Sequence, residues 1–126
     1  MDDFRLPKNA RLSSQTAIDR LFAQNGTSAA LAYPLRAVWA DNNDRSRGDA
    51  VQFLASVPKR RLRHAVDRVL MRRRIREAYR LNRQEFFPDT LQAPLDIMFV
   101  YIANSPEPYI KVENAMKKLL GKIFGR

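Results

Sequence analysis

The stretch AVQFLASVPKRRLRHAVDRVLMRRRIREAYRLNR, from Ala50 to Arg83, holds the change of pattern that decides the fold. Ala50 to Val57 is a short apolar run suited to a strand, and Pro58 ends it. From Pro58 to Pro88 neither proline nor glycine intervenes, and Arg, Ala, Leu, Met and Glu, all good helix formers, dominate. The spacing predicts a helix across this interval. Met71, Ile75 and Ala78 fall on one face, suited to packing on a sheet. Arg68, Arg72, Arg76 and Arg80 recur at i+4 as a ridge, with Arg61 and Arg83 near the same side.

The same stretch concentrates the charge. The chain carries +10, with a pI near 10.7. From Lys59 to Arg83 eleven basic residues face only Asp67 and Glu77, so this segment holds +9 of that total. Ten of the eleven are arginine, whose planar fork of donors matches phosphate oxygens and stacks on bases. A solvated helix ordinarily mixes signs to gain i,i+4 pairs; a nearly all-positive one repels itself unless a polyanion neutralises it. Nucleic acid is the partner this pattern indicates.

Outward from this stretch the chain reads as one α+β domain spanning residues 1–126. Residues 1–12 read as an extended arm. Ser13 or Ser14 caps a first helix reaching about Gln24, with Ala17, Ile18, Leu21 and Phe22 as its apolar stripe, and Asn25-Gly26 stops it. Tyr33 to Ala40 reads as a strand, and the polar stretch Asp41 to Asp49 as a hairpin loop leading to the Ala50–Val57 strand. Pro94 to Ala103 is apolar enough for a central strand. Ser105 to Pro108 is a turn, and Ile110 to Phe124 a last amphipathic helix, giving the order αββαβα.

Catalytic chemistry finds little support. There is no cysteine, hence no disulfide, thiolate nucleophile or cysteine-bearing zinc site. GxxxxGK[ST], GxGxxG and GxSxG are absent, and the carboxylates show no metal-ligand pattern, so catalytic and metal residues are expected to be none. The single histidine, His64, lies within the basic stretch, where an RNA contact or a packing role suits it better than a general base. Phe22, Tyr33 and Trp39 are candidates for stacking on bases. No apolar run approaches the ~20 residues of a membrane span and Met1 to Arg5 lacks a signal-peptide core, so no membrane partner and a cytoplasmic location are expected.

Phe4-Arg5-Leu6-Pro7-Lys8, then Arg11-Leu12 and a short helix bearing Ile18 and Phe22, resembles the opening of the bacterial ribonuclease P protein family. Ser56 to Arg68, followed by Met71 to Arg80, resembles that family's signature helix, and the resemblance covers nearly the whole chain. It implies an αβββαβα sandwich, ribosomal protein S5 domain 2-like, with a left-handed βαβ crossover and one strand more than the pattern reveals. It also implies a non-catalytic protein subunit of an endoribonuclease. The catalytic RNA, using Mg2+ that the RNA binds and no organic cofactor, removes the 5′ leader of precursor tRNA. On the resemblance, Lys59, Arg60, Arg61, Arg63, Arg68, Arg72, Arg73, Arg76 and Arg80 contact RNA. Ile18, Phe22 and Trp39 line a leader cleft between the first helix and the sheet.

The chain departs from the family at one point. The family signature Arg-Asn-Arg reads Arg68-Val69-Leu70 here. Val69 falls near the arginine ridge and Leu70 away from it, where burial would suit it; restoring Asn and Arg at the two positions is expected to tighten RNA binding. The alternative reading is a generic structured-RNA-binding protein of ribosomal type with no role in cleavage. A DNA-binding domain would mix Arg with Asn, Gln and Ser for base readout. A membrane-surface helix would need a broader apolar face than Met71, Ile75 and Ala78 provide.

Overall fold

A computed structural model describes Leu6 and residues 10–23, 26–42, 51–87 and 94–125. The elements are α1 (Gln15–Ala23), β1 (Ser28–Ala32), β2 (Leu35–Asp41), β3 (Val51–Ser56), α2 (Ala65–Phe86), β4 (Leu95–Tyr101) and α3 (Tyr109–Phe124). The strand order is β1-β2-β4-β3. β1 with β2 and β2 with β4 are antiparallel, whereas β3 and β4 run parallel with α2 as the crossover. The apolar segment read as a central strand therefore occupies the interior of the sheet, and six of its seven residues are buried.

Two apolar layers cover the two sheet faces. On one, Leu35, Ala37, Ile97, Phe99 and Tyr101 meet α2 through Met71, Ile75 and Tyr79, and α3 through Val112, Met116 and Leu119. On the other, Val38, Ala40 and Met98 meet α1 through Ala17 and Leu21. Tyr79 is the centre of the larger core: it stacks on Phe53 with ring centroids 4.0 Å apart and meets Phe99 at 5.8 Å and Phe87 at 6.3 Å. The two long helices are also tied by polar contacts. The Asn82 side-chain amide donates to the Ala78 carbonyl at 2.8 Å and to Glu113 at 3.1 Å, and Tyr109 Oη donates to the same carboxylate at 3.0 Å. Gly125 ends α3 in the left-handed conformation, φ 72°, which glycine adopts without a Cβ clash.

Three sequence readings are corrected. The pattern missed β1, which supplies the strand that the family resemblance implied. The Asp41–Asp49 stretch does not close a hairpin, because β2 and β3 each pair with β4 and not with one another; residues 43–50 lie outside the described residues. The hairpin is instead β1–β2, turned at Tyr33-Pro34. Finally, the helix starts later than its propensities suggest. Arg61 N–H donates to the Pro58 carbonyl at 3.0 Å, so Lys59-Arg60-Arg61 is a turn, and His64 is the residue before the first turn of α2 rather than a residue within it.

Packing leaves a mark on ionisation. Burial pushes the Tyr101 hydroxyl up to about 12, and burial followed by the hydrogen bond to Glu113 pushes Tyr109 up to about 12. A group that holds its proton more tightly when folded contributes stability that is complete below its unfolded value near 10 and is lost as pH rises from there towards 12. Stability measured by urea unfolding is expected to fall between pH 10 and 12, and to fall less steeply in Tyr109→Phe; identical slopes in the two proteins would contradict this.

Candidate nucleic-acid interface

β3 is an edge strand, and Arg11 and Leu12 lie along its open side. Arg11 bridges Phe53 in parallel, and Leu12 N–H donates to the Phe53 carbonyl at 2.8 Å. Between this edge and α2 lies a groove of about 510 Å3. Leu6 and the β3 residues Phe53, Leu54 and Ala55 line it, with Phe53 and Ala55 on the α2 side of the sheet and Leu54 on the α1 side. Val69 stands in its wall, and Arg11, Arg72, Arg73 and Arg76 carry their charge around it. Among the described residues no carboxylate lines it, and none of these four guanidinium groups has an acidic partner.

The i+4 ridge is thereby divided. Arg72 and Arg76 face the groove. Arg68 turns back and donates to the Leu62 and Arg63 carbonyls, both at 2.9 Å, which secures the loop before α2. Arg80 is held by Glu77, donating from Nε at 3.1 Å; that hydrogen bond lowers Glu77 and raises Arg80 from their ordinary values. Lys59, Arg60 and Arg63 are exposed beside the turn, and Arg61 donates to Asn104 at 3.3 Å. Arg74 donates to the Glu107 carbonyl, tying α2 to the start of α3. Arg83, placed by spacing on the ridge, is instead buried, with its guanidinium 5.6 Å from the Phe87 ring.

The three residues assigned to a leader cleft do not share a surface. Ile18 packs at the edge of the α1 layer and Phe22 is 57% exposed on α1. Trp39 packs with the α2–α3 layer, on the opposite face of the sheet. The reason is the two-residue strand period: Val38 and Ala40 face α1, so Trp39 between them cannot. Arg11 and Leu54 were missed as groove residues. Only the pairing of residue 11 with residue 53 brings them there, and no local pattern announces that contact.

The altered signature is also divided by the structure. Val69 lines the groove. Leu70, which burial would have suited, is 36% exposed on the outer face of α2. Leu70→Arg is therefore expected to add a phosphate contact without disturbing the core. Filter binding of RNA at 0.1 M salt should tighten by about five- to eightfold, with the log–log salt slope steeper by about 0.7–0.9. Unchanged affinity and slope would contradict this.

The sequence model of the Ribonuclease P family matches residues 6–123. The ribonuclease P protein components of two Porphyromonas gingivalis strains are each 35% identical over 125 residues, covering 97% of this chain and 88% of theirs. The chain belongs to the ribonuclease P protein family. Its fold is that of the Staphylococcus aureus RNase P protein: TM-score 0.70 at 17% identity, over 91% of this chain and 97% of that one. A mutant of the Staphylococcus protein described as defective in mRNA degradation activity superposes with TM-score 0.67, over 92% of this chain and 88% of that one. As a ribonuclease P protein, the chain is a component of an RNA-processing ribonuclease of the tRNA-processing pathway. Among the described residues no group of three or more His, Cys, Asp or Glu side chains is placed to hold a metal ion, and no helix is long and apolar enough to cross a membrane.

Proposed function

We propose that this chain is the RNA-binding, non-catalytic subunit of ribonuclease P, which joins the catalytic RNA to precursor tRNA and so promotes Mg-dependent removal of the 5′ leader. The observation that carries the reading is the β3–α2 groove, where Arg11, Arg72, Arg73 and Arg76 stand with no carboxylate among the described residues that line it. Four cations gathered on one concave surface repel one another and are favourable against phosphate. The exposed Lys59, Arg60 and Arg63 extend that field beyond the groove.

The role follows from charge. Catalytic RNA, tRNA and leader are polyanions that repel one another. A subunit that neutralises phosphates at their junction raises substrate affinity and lowers the Mg2+ that the RNA must recruit for the same purpose. In this reading the scissile bond belongs to the RNA and its magnesium, and the protein supplies binding and position. The leader lies on the α1 side of the sheet, where Ile18 and the exposed Phe22 offer an apolar surface for unpaired bases. A protein of this kind works in the cytoplasm, where precursor tRNA is made.

The test is a salt series of binding to the folded catalytic RNA and to duplex DNA of equal length. About six phosphate contacts to single strands give a log–log slope near −4. Tighter binding to the folded RNA with a slope of that size supports the reading; preference for the duplex DNA overturns it.

A further inference from the structure

The β3–α2 groove has more apolar surface than a phosphate track needs. We propose that it seats one unpaired nucleobase of the RNA partner, with that nucleotide's phosphate against Arg72, Arg73 and Arg76. The inference rests on the RNA-binding reading above and concerns a surface distinct from the α1 face.

The groove, at about 510 Å3, is of the size that encloses a small organic ligand. A hydrated phosphate gains nothing from the apolar side chains of Leu6, Ala55 and Val69 over the edge of Phe53; the flat face of a base does. The cations identify the ligand as anionic as well as apolar, which a nucleotide is and an apolar peptide is not. Arg72 and Arg76 are one helical turn apart, so two forks reach the same phosphate from one side. Arg11, bridged to Phe53, stands on the β3 side of the opening.

Val69 sets the selectivity. It presents methyl groups to the groove, and among the described residues no Asn, Gln, Ser, Thr or carboxylate side chain lines it. A base held by apolar contact alone is not read on its hydrogen-bonding edge, so the groove accepts all four.

The experiment uses the full chain, labelled at methyl groups and at arginine Nε, titrated by NMR with each of the four nucleoside 5′-monophosphates and with ribose 5-phosphate. Every nucleotide is expected to shift the Leu6, Ala55 and Val69 methyl resonances, with affinities within about threefold of one another. Ribose 5-phosphate is expected to shift only the Arg72, Arg73 and Arg76 signals and to bind more weakly. Val69→Thr keeps shape and charge but replaces one methyl by a hydroxyl. It should weaken the nucleotides about fourfold, the value of one buried methyl group, and leave ribose 5-phosphate unchanged. Nucleotide shifts confined to the arginines, or a Val69→Thr variant that binds nucleotides as the parent does, would overturn the proposal while leaving RNA binding intact. Failure to bind folded RNA in the salt series is a different result and counts against the functional reading instead.

Discussion

Replacing Arg72, Arg73 and Arg76 together by alanine is expected to lower affinity for the catalytic RNA on the order of 10²-fold at 0.1 M salt. The three guanidinium groups line one groove and lack acidic partners among the described residues. Each phosphate contact contributes about 0.7–0.9 to the salt slope, so losing three should flatten it by about 2 to 3 and remove a similar number of decades of affinity at 0.1 M salt. All three positions lie on the exposed or groove side of α2, and alanine favours helix, so the fold should survive. The charge control is Lys117→Ala with Lys118→Ala, on the exposed side of α3. Because surface charges beyond a Debye length are screened, that pair should cost at most about threefold. Equal losses in the two variants would show that total charge, and not the groove, governs binding.

The largest effect on stability is expected at Tyr79. Its side chain is fully buried and its ring touches Phe53 from β3, Phe99 from β4 and Phe87 beyond the end of α2. Truncating a large aromatic in such a site costs about 3–5 kcal/mol, through lost transfer energy and the cavity left behind. For a domain of this size that lowers Tm on the order of 10–20 °C. There is a functional corollary. Phe53 is both the stacking partner of Tyr79 and part of the groove's lining, so Tyr79→Ala should also loosen the groove while every arginine remains. Calorimetry measures the first effect, and a stability loss below about 1 kcal/mol would mean that the core is not centred on this ring.

Long periodic segments were legible in the sequence. The helices around Met71-Ile75-Ala78 and Val112-Met116-Leu119, and the apolar run from Leu95 to Tyr101, stand where their patterns place them. β1 was not legible because Ser28-Ala29-Ala30-Leu31-Ala32 has neither β-branched nor aromatic residues; pairing with β2 makes it a strand. The false hairpin has a related cause. A polar loop shows that two strands are separate but not which strand each will pair with, and β4, far along the chain, takes the position between them.

At the candidate interface the sequence disclosed composition but not allegiance. Arg68, Arg72, Arg76 and Arg80 look equivalent by spacing, yet Arg68 caps a loop and Arg80 pairs with Glu77, while Arg72 and Arg76 face the groove. Glu77 three residues before Arg80 is a signal that spacing alone offers, since i,i+3 pairs meet on a helix. Nothing comparable marks Arg11, whose place depends on a parallel bridge to Phe53. Trp39 was misplaced because both faces of this sheet are covered, so being apolar does not reveal which layer a β2 residue joins.

The most direct test of the central claim is cleavage of 5′-labelled precursor tRNA at low magnesium by the cognate catalytic RNA, with and without the purified protein. The expected result is cleavage at the mature 5′ end only when both are present. No stimulation, despite tight binding of the protein to the catalytic RNA, would contradict the claim and leave a general RNA-binding protein.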